Sequence, residues 1–113
     1  MHKLLAPLLA LFLLLAACGI NSVTKAQLEA VKPGDVLVYR YQKDGKSWFY
    51  ADKITRIEGD KIFYNPSTQE GTAGNDDRIY LFNQARELSM SKSELLKYDT
   101  EQGDDKKVII WIK

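Results

Sequence analysis

Reactive side chains are scarce in this chain of 113 residues, which has one cysteine, Cys18, and one histidine, His2. One cysteine cannot form an internal disulfide, and a single histidine cannot complete the common zinc sites. Paired Ser–His or Cys–His nucleophiles are not expected either, because the histidine lies in a segment that we expect to be removed. The thiol of Cys18 is therefore the side chain with the clearest chemistry.

The segment before Cys18 has the features of an export signal. Lys3 gives it a positive start, and residues 4–17 are almost wholly apolar. Fourteen helical residues reach only about 21 Å, which is short of the ~30 Å hydrocarbon core of a bilayer. We therefore expect a cleaved signal peptide over residues 1–17. The remaining chain has 15 basic and 15 acidic residues, a balance that argues against nucleic-acid binding.

Residues 15–19 read Leu-Ala-Ala-Cys-Gly. This sequence, after an apolar run, resembles the lipobox of bacterial lipoproteins. The resemblance implies that Cys18 becomes the first mature residue and carries a diacylglycerol, usually with a further acyl chain on its amine. Two or three chains anchor a protein stably. Gly19, where aspartate would signal retention at the inner membrane, favours the outer membrane. The alternatives are a secreted protein with an unpaired thiol or a buried structural cysteine.

Carboxylates and serines offer weaker candidates for catalysis or metal binding. Asp76-Asp77 and Asp104-Asp105 lack the alternating oxygen ligands that calcium requires, so solvated loop charge explains them better. A two-carboxylate hydrolase stays open, as does a serine–lysine pair at Ser91-Lys92, although helix capping accounts for that serine. We expect no enzyme, no metal and no cofactor apart from the acyl groups on Cys18.

Aromatic residues are the main candidates for a binding surface. Eleven follow residue 17, and six of them could gather on neighbouring strands: Tyr39, Tyr41, Trp48, Tyr50, Tyr80 and Phe82. Aromatic rings provide contact area at low entropic cost, which suits recognition of a peptide or glycan. The alternative is that these rings form the core of a small sheet. Trp48 and Tyr50, beside an Asp-Gly turn, are the strongest binding candidates.

Two segments carry paired helix-start signals, a capping box and a flanking apolar pair. The first begins at Thr24 and ends at Pro33-Gly34; the second begins at Ser91 and covers residues 92–98. The residues that complete these signals are Gln27 with Val23 and Leu28 in the first, and Glu94 with Met90 and Leu95 in the second.

Five β-branched and aromatic segments predict strands over residues 35–41, 47–57, 61–64, 78–82 and 108–112. Asp44-Gly45 and residues 58–60 are turn signals. Residues 67–77 and 100–107 are predicted to be polar loops. In the second strand the apolar residues keep no single parity: Trp48, Tyr50 and Ile54 share one face, and Phe49, Ala51 and Ile57 the other. A bulge near Asp52-Lys53 would reconcile them.

The predicted elements form a mainly β fold, with a helical turn before the last strand. Four segments between residues 31 and 64 resemble the Tudor and SH3-like pattern: Pro33-Gly34-Asp35-Val36, Asp44-Gly45, Trp48-Phe49-Tyr50-Ala51 and Glu58-Gly59-Asp60. The resemblance implies a small five-stranded SH3-like barrel over residues 23–113, tethered by residues 18–22. It concerns the fold, because function depends on the site that a fold carries.

These observations favour a bacterial envelope lipoprotein that faces the periplasm and acts as a small non-enzymatic binding module. Its expected partner, besides membrane lipid, is an envelope protein or a peptidoglycan-related ligand, which tethering would concentrate. An alternative is an immunity or inhibitor lipoprotein that presents residues 67–77 and 100–107 to a periplasmic toxin or enzyme. A small hydrolase is a third possibility.

Overall fold

The computed structural model describes residues 23–99 and 106–113, which form one antiparallel sheet of five strands with short helices at its edges. The strand order is β4-β3-β2-β1-β5. The elements are α1 (Lys25–Glu29), β1 (Val36–Lys43), β2 (Lys46–Glu58), β3 (Lys61–Pro66), a first 3-10 helix (Asp77–Tyr80), β4 (Leu88–Ser91), α2 (Lys92–Leu95), a second 3-10 helix (Leu96–Asp99) and β5 (Lys106–Ile112). The predicted mainly β fold is confirmed at this level.

Both predicted helix starts are present. The Thr24 hydroxyl accepts a hydrogen bond from the Gln27 N–H at 3.2 Å, and the Gln27 side chain accepts one from the Thr24 N–H at 2.8 Å. The Ser91 hydroxyl likewise accepts from the Glu94 N–H at 3.1 Å. Each cap satisfies a backbone donor that the first helical turn leaves unpaired. The second helical segment runs over residues 92–99, with one α turn followed by 3-10 geometry.

The hairpin between β1 and β2 turns at the predicted Asp-Gly pair. Asp44 has φ 53° and Gly45 has φ 73°. Positive φ at both central residues is the requirement of a type I′ turn, whose twist matches that of the strands it joins. The turn therefore fixes the register that places Tyr39 opposite Tyr50.

The larger core covers one side of the sheet, which we call the inner face. Strands β1 to β5 and both α-helical segments contribute to it; its buried members are Val23, Leu28, Leu37, Tyr39, Ile54, Ile62, Met90, Leu95 and Ile109. The flanking apolar pairs predicted at the two helix starts, Val23 with Leu28 and Met90 with Leu95, are among these residues. The two edge strands thus share one core with the central strands.

The other side, the outer face, is covered by the long segment between β3 and β4. Val38 and Ala51 pack there against Ile79, which lies in the first 3-10 helix. The predicted strand over residues 78–82 is wrong. Asp76 caps the helix by accepting from the Arg78 N–H at 3.1 Å, and this turn buries Ile79 against the sheet. Burial of one side chain with a local cap outweighs the strand propensity of residues 79–82.

The bulge in β2 lies later than predicted. The β2–β3 register shifts between Ile54 and Arg56, so the extra residue is Thr55, three positions after Asp52 and two after Lys53. The extra residue returns Ile57 to the inner face beside Ile54, so the prediction that Ile57 shares a face with Phe49 is wrong. Strict alternation up to this point also puts Asp52 on the inner face, between Tyr50 and Ile54.

The last strand confirms the prediction over residues 108–112 and begins two residues earlier, at Lys106. The signal peptide, the tether and most of the predicted loop over residues 100–107 lie outside the described residues. Within residues 23–99 and 106–113 no helix is long and apolar enough to cross a membrane. Closure of the five strands into an SH3-like barrel stays a prediction.

We predict that Ser67 is the main polar link between the outer segment and the sheet. Its hydroxyl accepts from the Ala51 N–H at 2.7 Å and lies 2.6 Å from the carbonyl oxygens of Ala51 and Ile79. Ser67→Ala leaves buried backbone groups unpaired and should lower the free energy of unfolding by about 2 kcal/mol in urea titrations. The neighbouring exposed Thr68→Ala is the control, with an expected loss below about 1 kcal/mol. Equal losses would contradict this role.

Candidate functional site

A cleft of about 640 Å³ opens on the inner face, and five tyrosines are among the residues that line it. We call it the tyrosine cleft and define it by Asp52 and five rings: Tyr39, Tyr41, Tyr50, Tyr64 and Tyr98. Strands β1, β2 and β3 supply four of the rings, and the second 3-10 helix supplies Tyr98. Its volume suits a small ligand or one side chain of a larger partner.

The rings of the cleft hold one another in place. Tyr39 and Tyr50 are directly opposite in the β1–β2 register, and their rings stack with centroids 4.7 Å apart and planes 5° apart. The ring of Tyr98 meets Tyr39 edge-on, with centroids 5.6 Å apart and an angle of 79°. Both arrangements are favourable for aromatic pairs. The walls are therefore formed before any ligand arrives.

Asp52 places a carboxyl group among these rings. The residue is only 5% exposed. Burial raises the pKa of Asp52 to about 7, although the Tyr39 hydroxyl and the Lys107 ammonium each favour the charged form and lower this pKa in part. Burial has the larger effect because charged carboxylates lose hydration in a protein interior. The carboxyl group therefore changes its charge near neutral pH.

The hydroxyl of Tyr39 is a second buried polar group in the cleft. Tyr39 is 1% exposed, and within the described part of the chain its hydroxyl meets no partner with hydrogen-bond geometry. It lies close enough to the Asp52 carboxyl to lower the pKa of that group, although the two groups do not meet hydrogen-bond geometry. Buried polar atoms in native proteins usually have a partner. A bound ligand that donates hydrogen bonds would supply one.

The electrostatics of the cleft favour a positively charged ligand. Among the described residues, three carboxyl groups line it, those of Asp52, Glu70 and Glu94, against one ammonium group, that of Lys107. Burial raises the pKa of Tyr64 to about 12, so its hydroxyl is neutral. Burial also raises the pKa values of three further tyrosines of the cleft, Tyr39, Tyr50 and Tyr98. Neutral ring faces and carboxylates both attract cations.

The predicted aromatic set is divided between the two faces of the sheet. Tyr39, Tyr41 and Tyr50 come together in the cleft. Trp48 lies beside Tyr41, with ring centroids 6.1 Å apart, but does not line the cleft. Tyr80, and with it Phe82, packs on the outer face. Three of the six predicted aromatic residues therefore line one cleft, and the other three do not.

Three residues of the cleft were missed from sequence: Asp52, Tyr64 and Tyr98. Asp52 follows Tyr50 by two positions and precedes Ile54 by two, the spacing of side chains on one face of a strand. The available signal was an acidic residue on the same strand face as Tyr50 and Ile54. The bulge predicted near Asp52-Lys53 hid this signal, because a bulge interrupts the alternation of side chains. Tyr98 lies after a helix, and no local pattern links it to the sheet.

The residues considered for catalysis or metal binding have structural roles. Asp76 forms an ion pair with Arg78 at 2.6 Å, and this guanidinium holds the pKa of Asp76 below its usual range. Ser91 caps α2 and lies 3.0 Å from the Ser93 hydroxyl. Among the described residues, no group of three or more His, Cys, Asp or Glu side chains is placed to hold a metal ion. Asp104 and Asp105 lie outside these residues.

Comparisons with protein-family models, with curated proteins and with solved structures find nothing that matches this chain.

We predict that stability falls as pH rises because of Asp52. Between about pH 4 and pH 7 the folded state keeps the Asp52 proton that the unfolded chain releases, so the free energy of unfolding decreases across this window. The upper bound of the loss is about 4 kcal/mol, since one pKa unit corresponds to about 1.4 kcal/mol. Urea titrations at pH 5 and pH 8 measure it.

Asp52→Asn should remove most of this pH dependence and make the variant more stable than the wild type at pH 8. Asp60→Asn, at the exposed turn between β2 and β3, is the matched control and should keep the wild-type profile. A wild-type protein that is equally stable at pH 5 and pH 8 would contradict the burial of an ionisable Asp52.

Proposed function

We propose that this chain is a lipid-anchored protein of the bacterial envelope whose domain binds a partner without catalysing a reaction. The anchor is a diacylglycerol, with a further acyl chain, on Cys18. The domain faces the periplasm, and Gly19 favours the outer membrane. The lipobox resemblance of residues 15–19 supports the anchor.

The tyrosine cleft is the observation that carries the binding role. It joins stacked rings, the buried Asp52 carboxyl and the unpartnered Tyr39 hydroxyl on one wall of a cavity. A cationic group entering the cleft would contact ring faces and pair with the carboxylate, which relieves the cost of burying each group alone. The ligand is therefore an ammonium or guanidinium group, as on the basic side chain of an envelope protein or an amine of a peptidoglycan-related peptide.

The anchor and the cleft act together in this proposal. Acyl chains confine the protein to a surface, and a partner in the same envelope is then present at high effective concentration. A contact confined to one cleft is sufficient under such conditions. The weak individual affinity of a small cationic group is thus compatible with a lasting association.

We also propose that the sheet closes as an SH3-like barrel. The common inner core of all five strands supports this, as do the bulge in the long strand β2 and the helical turns that precede β5 in the chain. Bulges bend a strand in the way that closure of a small barrel requires.

The binding proposal predicts that n-butylammonium binds the purified protein and that its affinity rises about tenfold between pH 6 and pH 8. The ionised fraction of Asp52 increases by about that factor when its pKa is about 7. Titration calorimetry or chemical-shift changes of the tyrosine ring protons measure the affinity. Asp52→Asn should weaken binding at pH 8 and abolish the pH dependence.

Two controls accompany this measurement. n-Butanol has the same alkyl chain without charge and should bind more weakly, and Tyr80→Phe, on the outer face, should leave n-butylammonium binding unchanged. Preferential binding of butyrate would show that the cleft selects an anion and would contradict the proposal. Partner association that depends on charge at Asp76 and Asp77, and not on Asp52, would favour the inhibitor alternative instead.

The anchor proposal predicts that cells incorporate labelled palmitate into the wild-type protein and not into Cys18→Ser. The thioether requires the cysteine sulfur, which serine lacks. Ser22→Ala, four residues further along the chain, is the control and should be labelled as the wild type is. Label that persists in Cys18→Ser would contradict the anchor.

A further inference from the structure

A second aromatic group lies on the outer face, at the β5 edge of the sheet. Trp111 is 40% exposed. The Lys113 ammonium lies 4.8 Å from the centroid of the Trp111 ring and 4.9 Å from that of Tyr80. We call these three residues the edge patch. Trp111 is opposite Val38 in the β1–β5 register, and Val38 packs on the outer face, so the edge patch and the tyrosine cleft are on opposite sides of the sheet.

The edge patch is held rigidly. The Tyr80 hydroxyl donates to the Gly74 carbonyl at 2.6 Å, and Gly74 lies so close under Trp111 that an added Cβ would be 2.5 Å from the indole ring. Lys113 exchanges two backbone hydrogen bonds with Val36, at 2.8 and 2.9 Å. A partly exposed indole held in this way is available for contact at little further entropic cost.

The chain leading from Cys18 joins the domain beside this patch. The Val23 N–H donates to the Ile109 carbonyl of β5 at 3.0 Å, and Val23 lines one shallow depression together with Trp111 and Lys113. Five residue steps separate Cys18 from Val23. Such a length of chain spans at most about 17 Å. An acylated Cys18 would therefore keep this edge of the domain near the bilayer.

We infer that the edge patch is a membrane-contact surface that rests against the headgroups of the bilayer holding the acyl chains of Cys18. Tryptophan and tyrosine favour the membrane–water interface because their rings are amphipathic, and an ammonium group at that level attracts anionic phosphates. Trp111, Tyr80 and Lys113 provide all three groups at the place where the tether joins. This inference rests on the lipid anchor of the proposed function.

The contact would also orient the domain. A bilayer against the outer face at the β5 edge leaves the inner face, and with it the tyrosine cleft, open to the periplasm. The two aromatic groups of the molecule thus have separate roles: the edge patch contacts lipid, and the tyrosine cleft receives the cationic group of the partner.

The two tryptophans of the chain, Trp48 and Trp111, allow a matched test. The lipidated full-length protein is reconstituted into vesicles of phosphatidylcholine and phosphatidylglycerol, with or without brominated acyl chains that quench indole emission. Trp48→Phe retains Trp111 as the single reporter, and Trp111→Phe retains Trp48. We expect the brominated lipid to cause a loss of Trp111 emission and to leave Trp48 emission unchanged.

Lys113→Glu provides a second measurement, since its side chain is exposed and its substitution does not disturb the core. It should reduce the quenching of Trp111 on anionic vesicles, whereas Lys97→Glu, in the second 3-10 helix, should not. Equal quenching of Trp48 and Trp111 would overturn the proposed orientation. A protein that floats with the vesicles but shows no quenching of Trp111 would overturn the contact while leaving the anchor in place. Failure to float would overturn the anchor and this inference together.

Discussion

Burial of the Asp52 carboxyl on the inner face is the constraint on which the candidate site depends. A charged group surrounded by tyrosine rings has lost its hydration. Within the described residues no cation forms a salt bridge with Asp52 that would compensate for this loss. The Asp52 carboxyl therefore keeps its proton at slightly acid pH, and at higher pH its charged form favours a nearby cation. In the proposed function, the desolvation that weakens the fold would also favour a ligand, because a cation would restore part of the lost interaction energy.

The fold accommodates this buried carboxyl group because apolar side chains are buried in two cores, one on each face of the sheet. The inner face is covered by helical segments and edge strands, and the outer face is covered by the segment that carries Ile79. A five-stranded sheet of this length cannot leave both faces exposed without losing most of its stability. Ser67 connects the outer segment to the backbone of β2 directly behind Asp52, so the two faces are coupled through one strand.

Local signals account for what could be predicted from the sequence. Thr24 and Ser91 cap the helices, and Asp44-Gly45 forms the hairpin turn. These features could be predicted because each depends on a side chain or a φ angle within a few residues. The prediction of a strand near Ile79 was wrong because burial of Ile79 against the sheet, a tertiary contact, determines the conformation there. The cleft was found only in part, since its rings come from β1, β2, β3 and a helix, and their convergence depends on the register and on a bulge three residues from its expected place.

The arrangement of the two aromatic groups also explains how one small sheet can present the proposed membrane contact and the proposed binding site on opposite faces. In β5, Lys107 lines the cleft and Trp111 lies on the outer face, although a regular strand would place residues four positions apart on the same face. The bulge between Val38 and Tyr39 in the β1–β5 register makes this possible, because it changes the parity of the strand between the two residues. Without that extra residue, Lys107 and Trp111 would point to the same side. A single irregularity in the edge strand thus places the edge patch and the tyrosine cleft on opposite sides of the sheet.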